Sequence, residues 1–188
     1  MRNSSLKDQG FTLMEIMVTM GIFIVIILVT GSLYALAQNS YNIFEGRMEL
    51  VQNGRVAYDR MSREIRQSVE IATPLTPGMS TTSKEIMFQN GHDNSNINYI
   101  YYYLDGSDLR RAKLAYYFEE EPNVYVKYSS VNEDGDSPQQ KVLQDRVVGE
   151  YFKEMEFWGE NGLVHASTTL ENKDKSFSLQ SSIFSRNY

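Results

Sequence analysis

No charged residue separates Glu15 from Glu45, and most of that interval is aliphatic or aromatic; residues 16–37 read IMVTMGIFIVIILVTGSLYALA. As α-helix, about 20 apolar residues cross a hydrocarbon core ~30 Å thick. A secretory signal would carry an apolar region of only about 7–15 residues and then a small-residue cleavage site. Here the run is longer and flows into further helical sequence, so the reading is a retained membrane helix over 11–37. Glu15 sits near its start. An acidic side chain at the centre of a spanning helix costs roughly 2.5–3.5 kcal/mol, which makes such a residue a functional candidate. A plainer reading places Glu15 at headgroup depth, snorkelling to water or answering the helix dipole.

The helix is expected to continue past the membrane. Phe44, Met48, Val51, Tyr58, Met61, Ile65 and Val69 fall at helical spacing, with charged residues on the other faces. The spacing predicts an amphipathic continuation over 38–72, and a helix from Phe11 to Ile71 on the order of 90 Å long. Within it, the run from Arg60 to Arg66 reads as a solvated face of weak i,i+4 ion pairs. Pro74, Pro77 and Gly78 then break the helix, and residues 73–83 form a Ser/Thr-rich linker.

From Lys84 to Tyr188 the chain has strand chemistry. Ile86, Met87 and Phe88 make a short strand, and 97–104 is rich in β-branched and aromatic residues. Asp105, Gly106, Ser107 and Asp108 form a turn, and the returning run completes a hairpin. Further strands are expected at 124–128, 151–158, 163–170 and 176–185; residues 142–151 fit either a strand or a short helix. Tyr99, Tyr101 and Tyr103 share one strand face and Tyr102 the other. The ladder is read as packing between sheet and helix with its hydroxyls at the rim. A long helix followed by antiparallel strands is an α+β plan, the helix lying across the sheet.

Composition narrows the function. The chain has 188 residues and a net charge of −6. Removal of residues 1–10 takes away Arg2, Lys7 and Asp8 and leaves 16 basic against 23 acidic residues, a balance of −7. No direct nucleic-acid contact is expected of so acidic a domain. There is no cysteine, which excludes thiol chemistry, cysteine-ligated metals and disulfides. His92 and His165 each stand alone, and no nucleophile elbow, phosphate loop or zinc helix appears. An enzyme is therefore not expected, nor a resident cofactor. The loop 132–137 gathers oxygen groups, with Asp134 and Asp136 as weak calcium candidates, but it lacks the full EF-hand spacing and closing glutamate. A solvated acidic loop is the preferred reading.

The sequence Lys7-Asp8-Gln9-Gly10-Phe11-Thr12-Leu13-Met14-Glu15, followed by the apolar run, resembles the signal of type IV prepilins and type II secretion pseudopilins. The resemblance implies cleavage between Gly10 and Phe11 by a prepilin peptidase that also methylates the new amine of Phe11. It implies Glu15 as the assembly carboxylate, a pilin-like fold, and partners comprising other pilin or pseudopilin subunits, an inner-membrane assembly platform and membrane lipid. Many major pilins carry a proline in the apolar half, where this chain has Gly21 and Gly31. The closing strands and Arg186-Asn187 resemble minor pilins of the W type and pseudopilins of the J type.

Arg2 and Lys7 precede the membrane segment and hold that end in the cytoplasm. The chain is then a single-pass inner-membrane protein with its sheet domain periplasmic or extracellular, later part of a filament. A minor subunit that primes or caps a type IV pilus or type II secretion pseudopilus is the leading reading. A membrane-anchored or filament-displayed binding module, such as an adhesin or DNA-uptake component, is the alternative. Gly10→Ser is expected to block leader removal, leaving precursor in the membrane fraction on an immunoblot; normal processing of that variant would contradict the cleavage assignment.

Overall fold

The computed structural model describes residues 11–79, 81–92 and 96–186. The leader with Gly10, and Asn187, lie outside them. The chain divides into two compact units, residues 1–45 and 46–188. A single helix, α1 (Leu13–Arg66), supplies the described part of the first and opens the second.

In the second unit α1 packs on two antiparallel sheets, where the sequence suggested one. Strands β1 (Ile86–Gln89), β2 (Tyr99–Asp105), β3 (Asp108–Tyr117) and β4 (Gln139–Gly149) form the first, in that order. Strands β5 (Phe152–Glu160), β6 (Leu163–Asn172) and β7 (Lys175–Phe184) form the second. The break falls at Glu150–Tyr151: Tyr151 takes φ 67°, and Phe152 N–H donates to Ser107 O at 2.9 Å rather than continuing the β4 ladder.

The helix face that meets the sheets keeps Tyr58, Met61 and Ile65 of the expected stripe and departs from it elsewhere: Phe44, Met48 and Val69 are exposed, and Leu50 and Ala57 are buried. Gly54 is buried too, and a Cβ there would come within 3.3 Å of Leu170 Cδ1. Small side chains at 54 and 57 let the second sheet approach. Counting only large apolar residues hides such a face. Against it pack Phe88, Ile100, Phe152, Met155, Phe157, Val164 and Leu170. Each fully buried large side chain contributes about 1.5–3 kcal/mol.

α1 ends at Arg66, short of the expected Ile71. Gln67 and Ser68 N–H turn back to Glu64 O and Ile65 O, and Ser68 Oγ also donates to Ile65 O at 2.7 Å. A hydroxyl competing for a helix carbonyl favours termination. The β-branched run beyond pairs instead with β1: Ala72 N–H donates to Met87 O at 2.8 Å.

Two further expectations are corrected. Residues 124–128 hold one bridge, Tyr116 to Val126, not a strand. β2 pairs β3 only up to Leu114 and β4 takes the other edge, so little of β3 remains free to receive them. Residues 142–149 resolve as part of β4. The tyrosine ladder faces away from α1: Tyr99 is buried against Tyr116 and Tyr128, and Tyr101 stacks on Tyr103 at 4.9 Å. Only Tyr102 points to the helix.

There it meets Glu64, which is not part of a solvated face. Glu64 accepts from Tyr102 Oη at 2.8 Å, Arg111 Nε at 2.9 Å and Arg60 Nε at 3.4 Å. The Arg111 side chain is 9 % exposed. Removing one member of a buried ion pair leaves the other charge without compensation, at about 3–5 kcal/mol. Glu64→Ala is expected to cost about that much in urea unfolding of the detergent-held chain, and Glu64→Leu with Arg111→Met to recover most of it; an unaffected single variant would contradict the pairing.

Burial also raises the Tyr58 and Tyr102 phenols above their ordinary value, the Glu64 carboxylate adding to the effect at Tyr102. Their protonated forms are held in the fold, so this contribution is complete below about pH 10 and is lost as pH climbs above it. Stability is expected to fall by up to about 1.4 kcal/mol per pH unit for each phenol beyond pH 10, measured as urea midpoints at pH 9 and 11.

Candidate functional site

The N-terminal residues form a capping box. Thr12 precedes the first residue of α1; its Oγ1 accepts from Glu15 N–H at 3.3 Å, and Glu15 Oε2 accepts from Thr12 N–H at 2.9 Å and Thr12 Oγ1 at 3.0 Å. Reciprocal bonding of this kind satisfies donors that a helix start leaves orphaned. The Thr-x-x-Glu spacing that marks such a box stands in the sequence at Thr12 and Glu15. Glu15 thus has a local partner within its own chain. Both bonds to the carboxylate fall on Oε2; among the described residues no donor reaches Oε1. Phe11, just ahead of the cap, is 83 % exposed.

Beyond the cap, α1 is suited to lipid. Its most apolar 18-residue window has a mean hydropathy of 2.6, and none of that window is buried. By length and composition it is the one helix among the described residues that could cross a membrane. Three of its hydroxyls are satisfied internally. Thr19 Oγ1 donates to Glu15 O and Ile16 O, both at 2.9 Å; Thr30 Oγ1 to Ile26 O at 2.8 Å; Ser32 Oγ to Val29 O at 2.8 Å. Those three hydroxyls are not left to cost free energy in hydrocarbon. Ile16, Phe23, Ile26, Leu28 and Leu33 are more than half exposed or close to it, so this surface needs lipid or other helices around it. Gly21 and Gly31 have no neighbour within 4 Å of a Cβ position.

The remaining candidates do not converge. In the loop at 132–136, Asn132 Oδ1 accepts from Asp134 N–H at 3.1 Å and Asp136 N–H at 2.7 Å. The group that would join Asp134 and Asp136 around a cation is committed to the loop's own backbone. No three His, Asp or Glu residues gather as metal ligands among the described residues. His165 stacks on Trp158 at 5.4 Å and shares a 2.8 Å bond with Ser182 Oγ; His92 N–H caps onto Asn90 Oδ1. A surface depression between Pro74, Leu75, Leu163 and Val164 has Glu160 as its single titratable lining residue, and one carboxylate supplies no acid–base pair.

Residues 5–31 match the family model described as the prokaryotic N-terminal methylation motif. The match covers the leader end, the capping box and most of the apolar run. It supports a type IV pilin-like or pseudopilin protein, processed by prepilin peptidase and assembled with other such subunits. Neither the curated proteins nor the solved structures gave a match to the chain.

Thr12→Ala removes one half of the capping box and is expected to weaken the first turn by about 1 kcal/mol. Faster amide exchange at residues 13–16 of the micelle-held chain is the check; unchanged exchange would contradict the cap.

Proposed function

We propose that this chain is a minor pilin or pseudopilin, a structural subunit that primes or caps assembly of a type IV pilus or type II secretion pseudopilus. The observation that carries the reading is a methylation motif set directly ahead of an apolar helix whose surface nothing in its own chain covers. The subunit waits in the inner membrane with its N-terminus cytoplasmic and its sheet domain on the far side. Cleavage after Gly10 frees the amine of Phe11, which is then methylated.

The chemistry of assembly follows from two charges in an apolar setting. An uncompensated ion in low dielectric costs several kcal/mol, and a partner offsets much of that. In the isolated subunit the Glu15 carboxylate is held by Thr12 through Oε2. Oε1 is the atom on which a neighbour's Phe11 amine would land. The cap would hold the carboxylate aimed before assembly, and the amine would then fix axial register. Pairing of this sort is best attested as a register device. The apolar helix makes the filament core, and the sheet domain makes lateral contacts.

Glu15→Ala is expected to be processed at Gly10 as usual yet to enter filaments at least about tenfold less, a difference of roughly 1.4 kcal/mol or more. Quantitative immunoblots of sheared or membrane fractions provide the measurement. Normal incorporation of Glu15→Ala would remove the salt-bridge account.

A further inference from the structure

Four strand edges bound the two sheets, and three are closed or guarded. β1 is covered by the chain just before it: Val69 N–H donates to Gln89 O at 3.1 Å, and Gln89 N–H to Glu70 O at 2.8 Å. β5 is bridged by Ser83, which exchanges bonds of 2.8 and 2.7 Å with Phe157. β4 is open, but its pairing with β3 carries two register shifts and its sequence carries Lys141, Asp145 and Arg146. Bulges and charges are the devices by which an open edge refuses another strand.

β7 has neither. It pairs with β6 from Lys175 to Phe184 in one unbroken register. Residues 176–184 read SFSLQSSIF, with no charge, proline or glycine. Phe177, Leu179 and Ile183 turn toward the core, while Ser176, Ser178, Gln180 and Ser182 face solvent. Among the described residues no further strand pairs with the outer edge of 176–184, and α1 reaches it through Tyr58 Oη, 3.5 Å from Leu179 O. A long, flat, uncharged edge is a template for strand addition.

We propose that β7 is a docking edge for an extended segment of a different, neighbouring subunit, added as the next strand of the sheet. The segment carries apolar side chains on the Phe177–Ile183 face and small polar ones on the Ser178–Ser182 face.

A second copy of β7 is the wrong occupant, an argument that rests on the membrane-subunit reading above. β7 runs beside α1 in the same direction: Lys175 lies against Gly46, Phe177 against Gly54, and Ser185 bonds Ser68. Antiparallel pairing of two β7 strands about a two-fold axis would therefore reverse the helix of one copy relative to the other. The two residue-46 ends, each leading to a membrane segment, would then face opposite ways. Parallel self-pairing keeps the helices aligned but sets the apolar row of one sheet on the solvent side of the other.

The test is amide exchange of the full processed chain in the filament or membrane fraction of its native cells, compared with the same chain in detergent. Amides of 176–184 are expected to exchange about tenfold or more slowly when assembled. Gln180→Lys should abolish that protection and lower incorporation, while Gln144→Lys on the guarded β4 edge should do neither. Equal exchange in the two states, or full incorporation of Gln180→Lys, overturns the docking edge. So does efficient disulfide homodimerisation of Gln180→Cys in this cysteine-free chain, which would place a second copy there. Leader removal, read by mass in the same samples, fails only if the membrane-subunit reading fails, so the two outcomes are distinguishable.

Discussion

The uncovered apolar surface of α1 is the constraint on which everything else hangs. Burial of a single large aliphatic side chain is worth about 1.5–3 kcal/mol, and the first half of α1 leaves a full membrane span of them exposed. Such a helix must sit in lipid or among like helices. The capping box at Thr12 and Glu15 and the inward-bonded hydroxyls of Thr19, Thr30 and Ser32 leave its backbone and side chains little need of water. Once lipid is the surrounding, Glu15 is the charge left at the head of the span, and the proposed assembly role falls on it for that reason.

The second unit solves a different problem, fastening a helix to two small sheets. Two kinds of contact do this. Gly54 and Ala57 permit close approach, so that Leu50, Met61 and Ile65 reach the interior. Glu64 then ties the helix to Arg111 of β3 and Tyr102 of β2. A partly buried ion pair of this kind fixes orientation more than it adds net stability. It adds a polar tie to the first sheet, while apolar contacts reach both. The sheet edges left over differ in how well they are guarded, and that difference directs where a neighbour can attach.

Much of this was legible in the sequence where one strong local signal acts alone. The apolar run, the motif around Gly10 and Glu15, and the hairpin at Asp105–Asp108 each stand on a short stretch of chain. What failed depended on partners far away in sequence. Leu50 replaces Phe44 and Met48 at the interface because small residues at 54 and 57 face the sheet. Glu64 leaves its expected solvated face because Arg111 and Tyr102 lie opposite it, residues whose proximity no spacing reveals. Val124–Tyr128 looks like a strand by composition, but the edge it would join is taken. The Thr12–Glu15 box is the exception, a local signal that was readable and was overshadowed by the role implied for the same glutamate.

The central claim is that the methylation motif is read and the apolar helix becomes the N-terminal end of a filament subunit. The intact mass of the protein, isolated from native cells with an active prepilin peptidase, tests it most directly. The account predicts a chain beginning at N-methyl Phe11. A chain still beginning at Met1 in those cells would contradict it and leave a membrane-anchored binding module as the leading alternative.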